Sequence, residues 1–254
     1  MIRRLLQAGG GEVVHLGHNR SVADIVRAAI QEDADGIAVS SYQGGHNEYF
    51  AYMVDMLREL NSEHVRVVVG GGGTLAPAEI AALEQHGIEK IYTPEHGRTL
   101  GLTGMIDDVL ERVRVTHRPS YHFAPLSPRD HRHIARTITA LEDAVQDDGS
   151  RAAILRAIAD HQATTGIKRV PVIGLTGTGG AGKSSLNDEL LQRFVRYFPD
   201  RQIAVVAVDP TRRRTGGALL GDRIRMNSLA ADNIFMRSLA TRRQNAATSA
   251  VLKD

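Results

Sequence analysis

Cysteine is absent from the 254 residues, which excludes disulfides, thiolate metal sites and cysteine nucleophiles and fits a reducing, cytoplasmic setting. Aromatic residues are scarce, at 4%, and are not interleaved with basic ones, so the stacking platforms used on single-stranded nucleic acids are missing. A formal net charge of +2 is too small to point to a phosphate-backbone partner. No apolar run is long enough to span a bilayer. Residues 1–6 pass straight into Gly9-Gly10-Gly11 without the apolar core of a secretory signal. Nucleic acid and membrane are therefore not expected as partners. What is present is an ordinary globular composition, 42% hydrophobic and 24% charged, in a chain long enough for about two domains.

One stretch organises the rest. Gly177-Thr178-Gly179-Gly180-Ala181-Gly182-Lys183-Ser184 fits G-x-x-x-x-G-K-[ST] at every fixed position. The β-branched apolar run 170–175 ahead of it predicts a buried strand, and Leu186, Leu190 and Phe194, four apart, predict a helix over 185–197. Glycines let a loop turn several N–H groups toward one phosphate chain, and a helix N-terminus adds a positive dipole end. The candidate nucleotide-binding residues are Gly177, Gly179, Gly180, Ala181, Gly182, Lys183, Ser184 and Ser185. Lys183, aimed at the β- and γ-phosphates, is the candidate catalytic residue, and the Ser184 hydroxyl is a candidate Mg²⁺ ligand. A glycine-rich turn that binds nothing would not need strand, Lys-Ser and helix all in register.

Upstream, apolar strands alternate with helical stretches. Strands are predicted at 13–16, 36–40, 65–69 and 90–92, and helices at 21–32 (Ser21 as N-cap, Asp24 three residues on), 47–60, 77–86 and 98–112. Such alternation predicts a parallel sheet covered on both faces, with ligands beyond the carboxyl ends of the strands. The unusual residues collect at those ends: Gly17-His18-Asn19-Arg20, then Ser40-Ser41-Tyr42-Gln43-Gly44-Gly45-His46, then Gly70-Gly71-Gly72-Gly73. Four glycines in a row make sense where backbone must approach something closely, although a flexible turn before the helix at Pro77 would also use them.

Between 118 and 166, Pro119, Pro125 and Pro128 mark a linker, followed by amphipathic helices over 129–147 and 152–164 that read as a spacer or docking element. His131 and His133 fall on different helix faces, which argues against a metal site. Beyond the P-loop a strand is predicted at 202–208, ending at Asp209-Pro210. A carboxylate at a strand tip beside a P-loop is placed to reach Mg²⁺, although Asp-Pro is also a common turn signal. The charged, glycine-flanked segment from Thr215 to Met226 suggests a loop that orders around phosphate. Arg212-Arg213-Arg214 reads as a solvated cluster rather than a phosphate contact.

Two resemblances emerge from these motifs. Ser40-x-Tyr42, 27 intervening residues and then Gly70-Gly71 resemble the second and third elements of the cobalamin-binding module of acyl-CoA mutases. The wording from His15 to Ser21 and from Val39 to His46 is similar to fused acyl-CoA mutases, which carry cobalamin, G-protein and mutase modules in one chain. G-x-T-G-x-x-G-A-G-K-S, V-D-P, T-G-G-x-x-L-G-D-x-x-R-M and F-x-R-S-L-A-T-R look like the metallochaperone-type G proteins that service acyl-CoA mutases. The resemblance implies that Ser40, Tyr42, Gly70, Gly71, Gly72 and Gly73 hold the nucleotide tail of adenosylcobalamin. It also implies that Lys183 holds GTP phosphates and that Ser184, Asp209 and Asp222 surround Mg²⁺.

No residue matches the family's cobalt-ligating D-x-H-x-x-G, and no N-K-x-D follows to read guanine. His15, His18 and His46 do not have the family's position. The expectation is an α/β chain with an incomplete flavodoxin-like cobalamin-binding domain (1–117), a helical linker (118–166) and a partial P-loop GTPase domain (167–254). The strand at 13–16 is then expected to lack a partner on its inner side, and cobalamin to bind poorly and without histidine ligation. The implied parent rearranges isobutyryl-CoA to butyryl-CoA, carries a mutase domain in the same chain or as a partner, and forms a homo-oligomer. A P-loop kinase or ATPase fused to a ligand sensor is the alternative, and an inactive truncated fragment the other.

Overall fold

The computed structural model describes residues 1–41, 45–114, 118–166, 170–209, 217–241, 249, 251 and 252. It divides into two compact units, Met1–Ser120 together with a short return segment ending at Leu219, and the remainder.

In the first unit, β2 (Gly36–Ser40), β3 (Arg66–Gly70) and β4 (Lys90–Tyr92) form a parallel sheet in that order. The register sets Ile37 beside Val67, Val39 beside Val69, and Val69 beside Ile91. Because side chains alternate across a strand, these fall on one face. They pack there with Val26 of α2 (Val22–Gln31), Phe50, Met53 and Leu57 of α3 (His46–Glu59), and Leu83 of α4 (Pro77–His86). On the other face Val68 is buried and Ala38 is exposed, so that face is covered over β3 and open at β2. The second face receives α5 (Pro94–Arg114), whose Val113 lies so close to Gly36 that a Cβ there would sit 2.8 Å from it. α5 starts earlier than the spacing predicts and breaks at Gly101 (φ 64, ψ 172), a conformation glycine tolerates. Ser21 caps α2 as expected, its Oγ accepting from Asp24 N at 3.1 Å.

The N-terminal helix α1 (Ile2–Ala8) leads into β1 (Glu12–Val14), shorter than predicted. β1 is not left unpartnered: it pairs with β6 (Ala218–Leu220), with Ala218 N donating to Gly11 O at 3.2 Å. β1 does not join the β2–β3–β4 sheet; its ladder partner is a distant extended segment, which no local pattern records.

The second unit has three layers. β5 (Ile203–Asp209) and β7 (Ile234–Ala240) pair in parallel, Ile203 with Ile234 through Asp209 with Ala240. Ile234 and Met236 point to one face and pack with Val205 and with Leu191 of α8 (Lys183–Tyr197). Phe235, Arg237 and Leu239 point to the other, toward α6 (His131–Asp143) and α7 (Asp148–Thr165). The helices read as a spacer thus form one layer of this unit. β7 was not foreseen, because its Arg237 and Ser238 break an apolar run. The strand predicted at 170–175 is not formed, and Val170, Val172 and Ile173 are 69%, 88% and 77% exposed. A parallel strand needs ladder partners on its flanks, and among the described residues none lies beside this segment.

Candidate functional site

Lys183 opens α8, with Gly182 as N-cap in the left-handed conformation (φ 80, ψ 10). Gly180 is left-handed too, at φ 79. A side chain at Gly179, Gly180 or Gly182 would meet nothing within 4 Å, so packing does not explain these glycines. At Gly180 and Gly182 it is backbone shape that does. Lys183 Nζ donates to Gly177 O and Thr178 O, both at 2.8 Å, which holds the ammonium across the loop. Ala181 N donates to Thr178 O at 3.4 Å, and Ser185 is exposed in the first helical turn. A loop with free space beside its backbone and a lysine bound to its own carbonyls fits a phosphate chain, which replaces loop oxygens with stronger acceptors.

Oxygen donors gather next to the loop. Ser184 Oγ donates to Asp222 Oδ1 at 3.1 Å. Asp209 ends β5, and its Oδ2 accepts from Gly221 N at 3.3 Å. Burial, and then the negative charge of Asp222, hold the Asp209 carboxyl above the usual carboxylate range, against the Gly221 N–H and Arg225. Arg225 pairs with Asp222 Oδ1, and its Nε donates to Ser184 Oγ at 3.4 Å. One hydroxyl and two crowded carboxylates are hard donors of the kind Mg²⁺ takes, and the ion keeps waters and phosphate oxygens in its remaining positions. Among the described residues no group of three or more His, Cys, Asp or Glu side chains could hold a metal, so a divalent ion here would depend on the serine and the nucleotide.

Two side chains that sequence reasoning missed hold this arrangement together. Asp188, one turn past Ser184, accepts from Ser228 N at 2.9 Å and Ser228 Oγ at 2.6 Å. Burial pushes its carboxyl up, but the Ser228 hydroxyl, its N–H and the Asn227 N–H outweigh burial and bring it below the usual range. Arg223, 6% exposed, donates to Met236 O at 2.7 Å. The segment that carries Asp222 is thereby pinned to α8 on one side and β7 on the other. A signal for Asp188 did exist: it lies three residues before Leu191, on the buried stripe of α8. The spacing of Leu186, Leu190 and Phe194 points elsewhere, and those three are exposed.

In the first unit Ser40 and Gly70 end adjacent strands and face each other in register. Gly71 has φ +93, and a Cβ there would lie 2.2 Å from Ser41 O, so only glycine fits where this backbone crosses the end of β2. Gly72 and Gly73 continue into a single 3-10 turn, Gly72–Thr74. Tyr42 and the cluster Arg212, Arg213 and Arg214 lie outside the described residues. Ser40 and the glycines therefore share the carboxyl edge of the sheet. His15 follows β1, and burial, then Arg3 and the N-terminal ammonium, hold its imidazole below the usual value. His18 is exposed, and His46 stacks on Phe50 with ring centroids 6.5 Å apart. His131 packs edge-on against Phe235, while His133 Nε2 lies 3.0 Å from Ala124 O, so the two do not converge.

These features define an α/β chain with a glycine-rich ligand edge in its first unit and a P-loop in its second. Comparison with known proteins makes the class particular. Residues 1–100 match the B12 binding domain, and residues 134–253 match the methylmalonyl Co-A mutase-associated GTPase MeaB. The chain is homologous over its whole length to fused isobutyryl-CoA mutases, of which it covers the B12-binding and MeaB GTPase regions only. It is 52% identical to that of Geobacillus kaustophilus and 51% identical to that of Cupriavidus metallidurans, across 100% of this chain and 24% and 23% of theirs. It thus spans about a quarter of the length of these relatives. A putative GTPase of Pyrococcus horikoshii is 38% identical over 54% of the chain and 36% of its own length. No helix among the described residues is long and apolar enough to cross a membrane.

Proposed function

We propose that this chain is the cofactor-handling part of a cytoplasmic, homo-oligomeric, adenosylcobalamin-dependent acyl-CoA mutase that converts isobutyryl-CoA to butyryl-CoA. Residues 1–117 belong to its cobalamin-binding module, and 118–166, whose helices α6 and α7 pack on the β5–β7 sheet, join 167–254 in a GTPase that gates cofactor loading onto a mutase domain. The observation that carries the reading is the convergence of Ser184, Asp222 and Asp209 beside the P-loop lysine. Lys183 leaves the carbonyls of Gly177 and Thr178 to neutralise the β- and γ-phosphates, while Gly177, Gly179, Gly180, Ala181, Gly182 and Ser185 line the loop. Ser184, Asp209 and Asp222 would hold Mg²⁺, which would supply charge neutralisation at the phosphates. Asp209 must be deprotonated for that role, and a dication overcomes the crowding that disfavours its charge. At the other site Ser40, Tyr42, Gly70, Gly71, Gly72 and Gly73 bind the nucleotide tail of cobalamin, whose cobalt–carbon bond supplies radical chemistry when bound.

Nucleotide titration tests the reading. The chain binds Mg·GTP far better than Mg·ATP, and Lys183→Ala abolishes binding with its circular dichroism spectrum unchanged. Equal affinity of Lys183→Ala for Mg·GTP would sink the P-loop assignment, and preference for ATP would favour a kinase or ATPase.

A further inference from the structure

Arg225 occupies the position at which the proposed metal site needs a cation. Its Nη2 is bonded to Asp222 Oδ1, the atom that also accepts from Ser184 Oγ, so the two lone pairs of that oxygen are both engaged. Its Nε reaches Ser184 Oγ as well. Two carboxylates in proximity, Asp209 and Asp222, call for a counter-ion when no metal is present, and Arg225 supplies one from three residues along the same turn. The neighbouring Arg223 is a different case, because it is 6% exposed and bonded to a strand carbonyl. The Arg225 side chain is 56% exposed, against 20% for Asp222, so it can swing into solvent without opening the core.

We infer that Arg225 is a tethered counter-ion of the proposed metal site: it is bonded to Asp222 and Ser184, and Mg²⁺ displaces it on binding. The inference rests on the metal–nucleotide reading above and deepens it. The guanidinium and the metal compete for the same two oxygens, so metal affinity is held down until nucleotide phosphates add ligands of their own. Release of Arg225 then reports metal occupancy to the turn between Asp222 and Met226, which is otherwise anchored through Arg223 and Ser228.

The test is a Mn²⁺ titration of the full 254-residue chain followed by electron paramagnetic resonance, without nucleotide and with Mg²⁺ as competitor. Arg225→Ala binds Mn²⁺ about three- to tenfold more tightly than the unmodified chain, the gain expected when a partly exposed, charge-assisted competitor is removed. Arg225→Lys, which keeps the charge but loses the fork, shifts in the same direction by less, and it carries the test should the alanine variant fail to fold. Raising the salt concentration narrows the differences. Unchanged or weaker Mn²⁺ binding in both variants, with Mg·GDP still bound by the unmodified chain, overturns this inference alone. An unmodified chain that binds neither Mn²⁺ nor Mg·GDP overturns the proposed function and this inference with it.

Discussion

A half-buried carboxylate beside a second one carries an electrostatic cost, and Asp209 is such a group. Its folded-state pKa is raised, by burial first and by Asp222 second. A carboxyl shifted upward on folding binds its proton more tightly in the native state. It therefore favours the fold at low pH and loses that contribution as pH rises from the ordinary carboxylate value through the raised one. Asp209→Asn removes the charge and keeps an oxygen for the Gly221 N–H. In metal-free buffer at pH 7 the variant should be more stable, by a few tenths to about 1 kcal/mol after allowing for solvent screening. The gain should shrink as the pH is lowered from 7 through the raised value toward the ordinary carboxylate value of about 3.9, while Mg²⁺-dependent nucleotide binding weakens. Thermal melts at the two pH values, with and without Mg²⁺, check this. A lower melting temperature at pH 7 would mean that the charge is structural.

Among the elements, the edge where β2 and β3 end is the one most tightly constrained by backbone. Gly71 combines a positive φ with a Cβ position 2.2 Å from Ser41 O, and the obstacle is main chain, which has no rotamer to change. Gly71→Ala should cost about 1–3 kcal/mol through strain and displacement of that crossing, measured by urea unfolding. It should also weaken any corrinoid binding at the edge. By contrast, Gly45 at the start of α3 has nothing near its Cβ position, so only its left-handed φ of 78 resists substitution. A loss at Gly71 no larger than that at Gly45 would contradict the close-approach account. The four-glycine run was visible as a run, but which glycine is indispensable depends on where Ser41 lies, and that is set by the β2–β3 register.

On the scale of the whole second unit, one buried ion pair ties its helical layer to its sheet. Arg237, 5% exposed, donates to Glu142 Oε2 at 2.8 Å and to Thr139 Oγ1 at 3.0 Å, joining β7 to α6. Replacing one partner of such a pair leaves a charge without compensation in a dry interior. Glu142→Leu should therefore destabilise this unit by about 3–5 kcal/mol, and nucleotide binding should fail at a lower temperature than in the unmodified chain. An unchanged melting profile would show that α6 is dispensable to the sheet it covers.

What local spacing could decide, it decided well. Ser21 with Asp24 marked a capped helix, Pro77 to His86 marked another, and the Gly177 to Ser184 motif marked a loop leading into a helix. In each, the determining contacts lie within a few residues of one another. Ser184 and Asp209 were readable as oxygen donors from the motif and from the strand tip beside it, whereas the place of Asp222 was implied only by a resemblance, and nothing in the periodicity required it. Where local spacing failed, the missing information was a distant partner. The run at 170–175 has the composition of a buried strand, yet burial of a parallel strand is a property of its neighbours. β1 found its ladder in β6, some two hundred residues away. Asp188, Arg223, Arg237 and Arg225 look like surface charges when read in order. Only tertiary packing shows that three of them are buried anchors and that the fourth sits on the oxygens a metal would use, because burial and ion pairing depend on what the rest of the chain brings alongside.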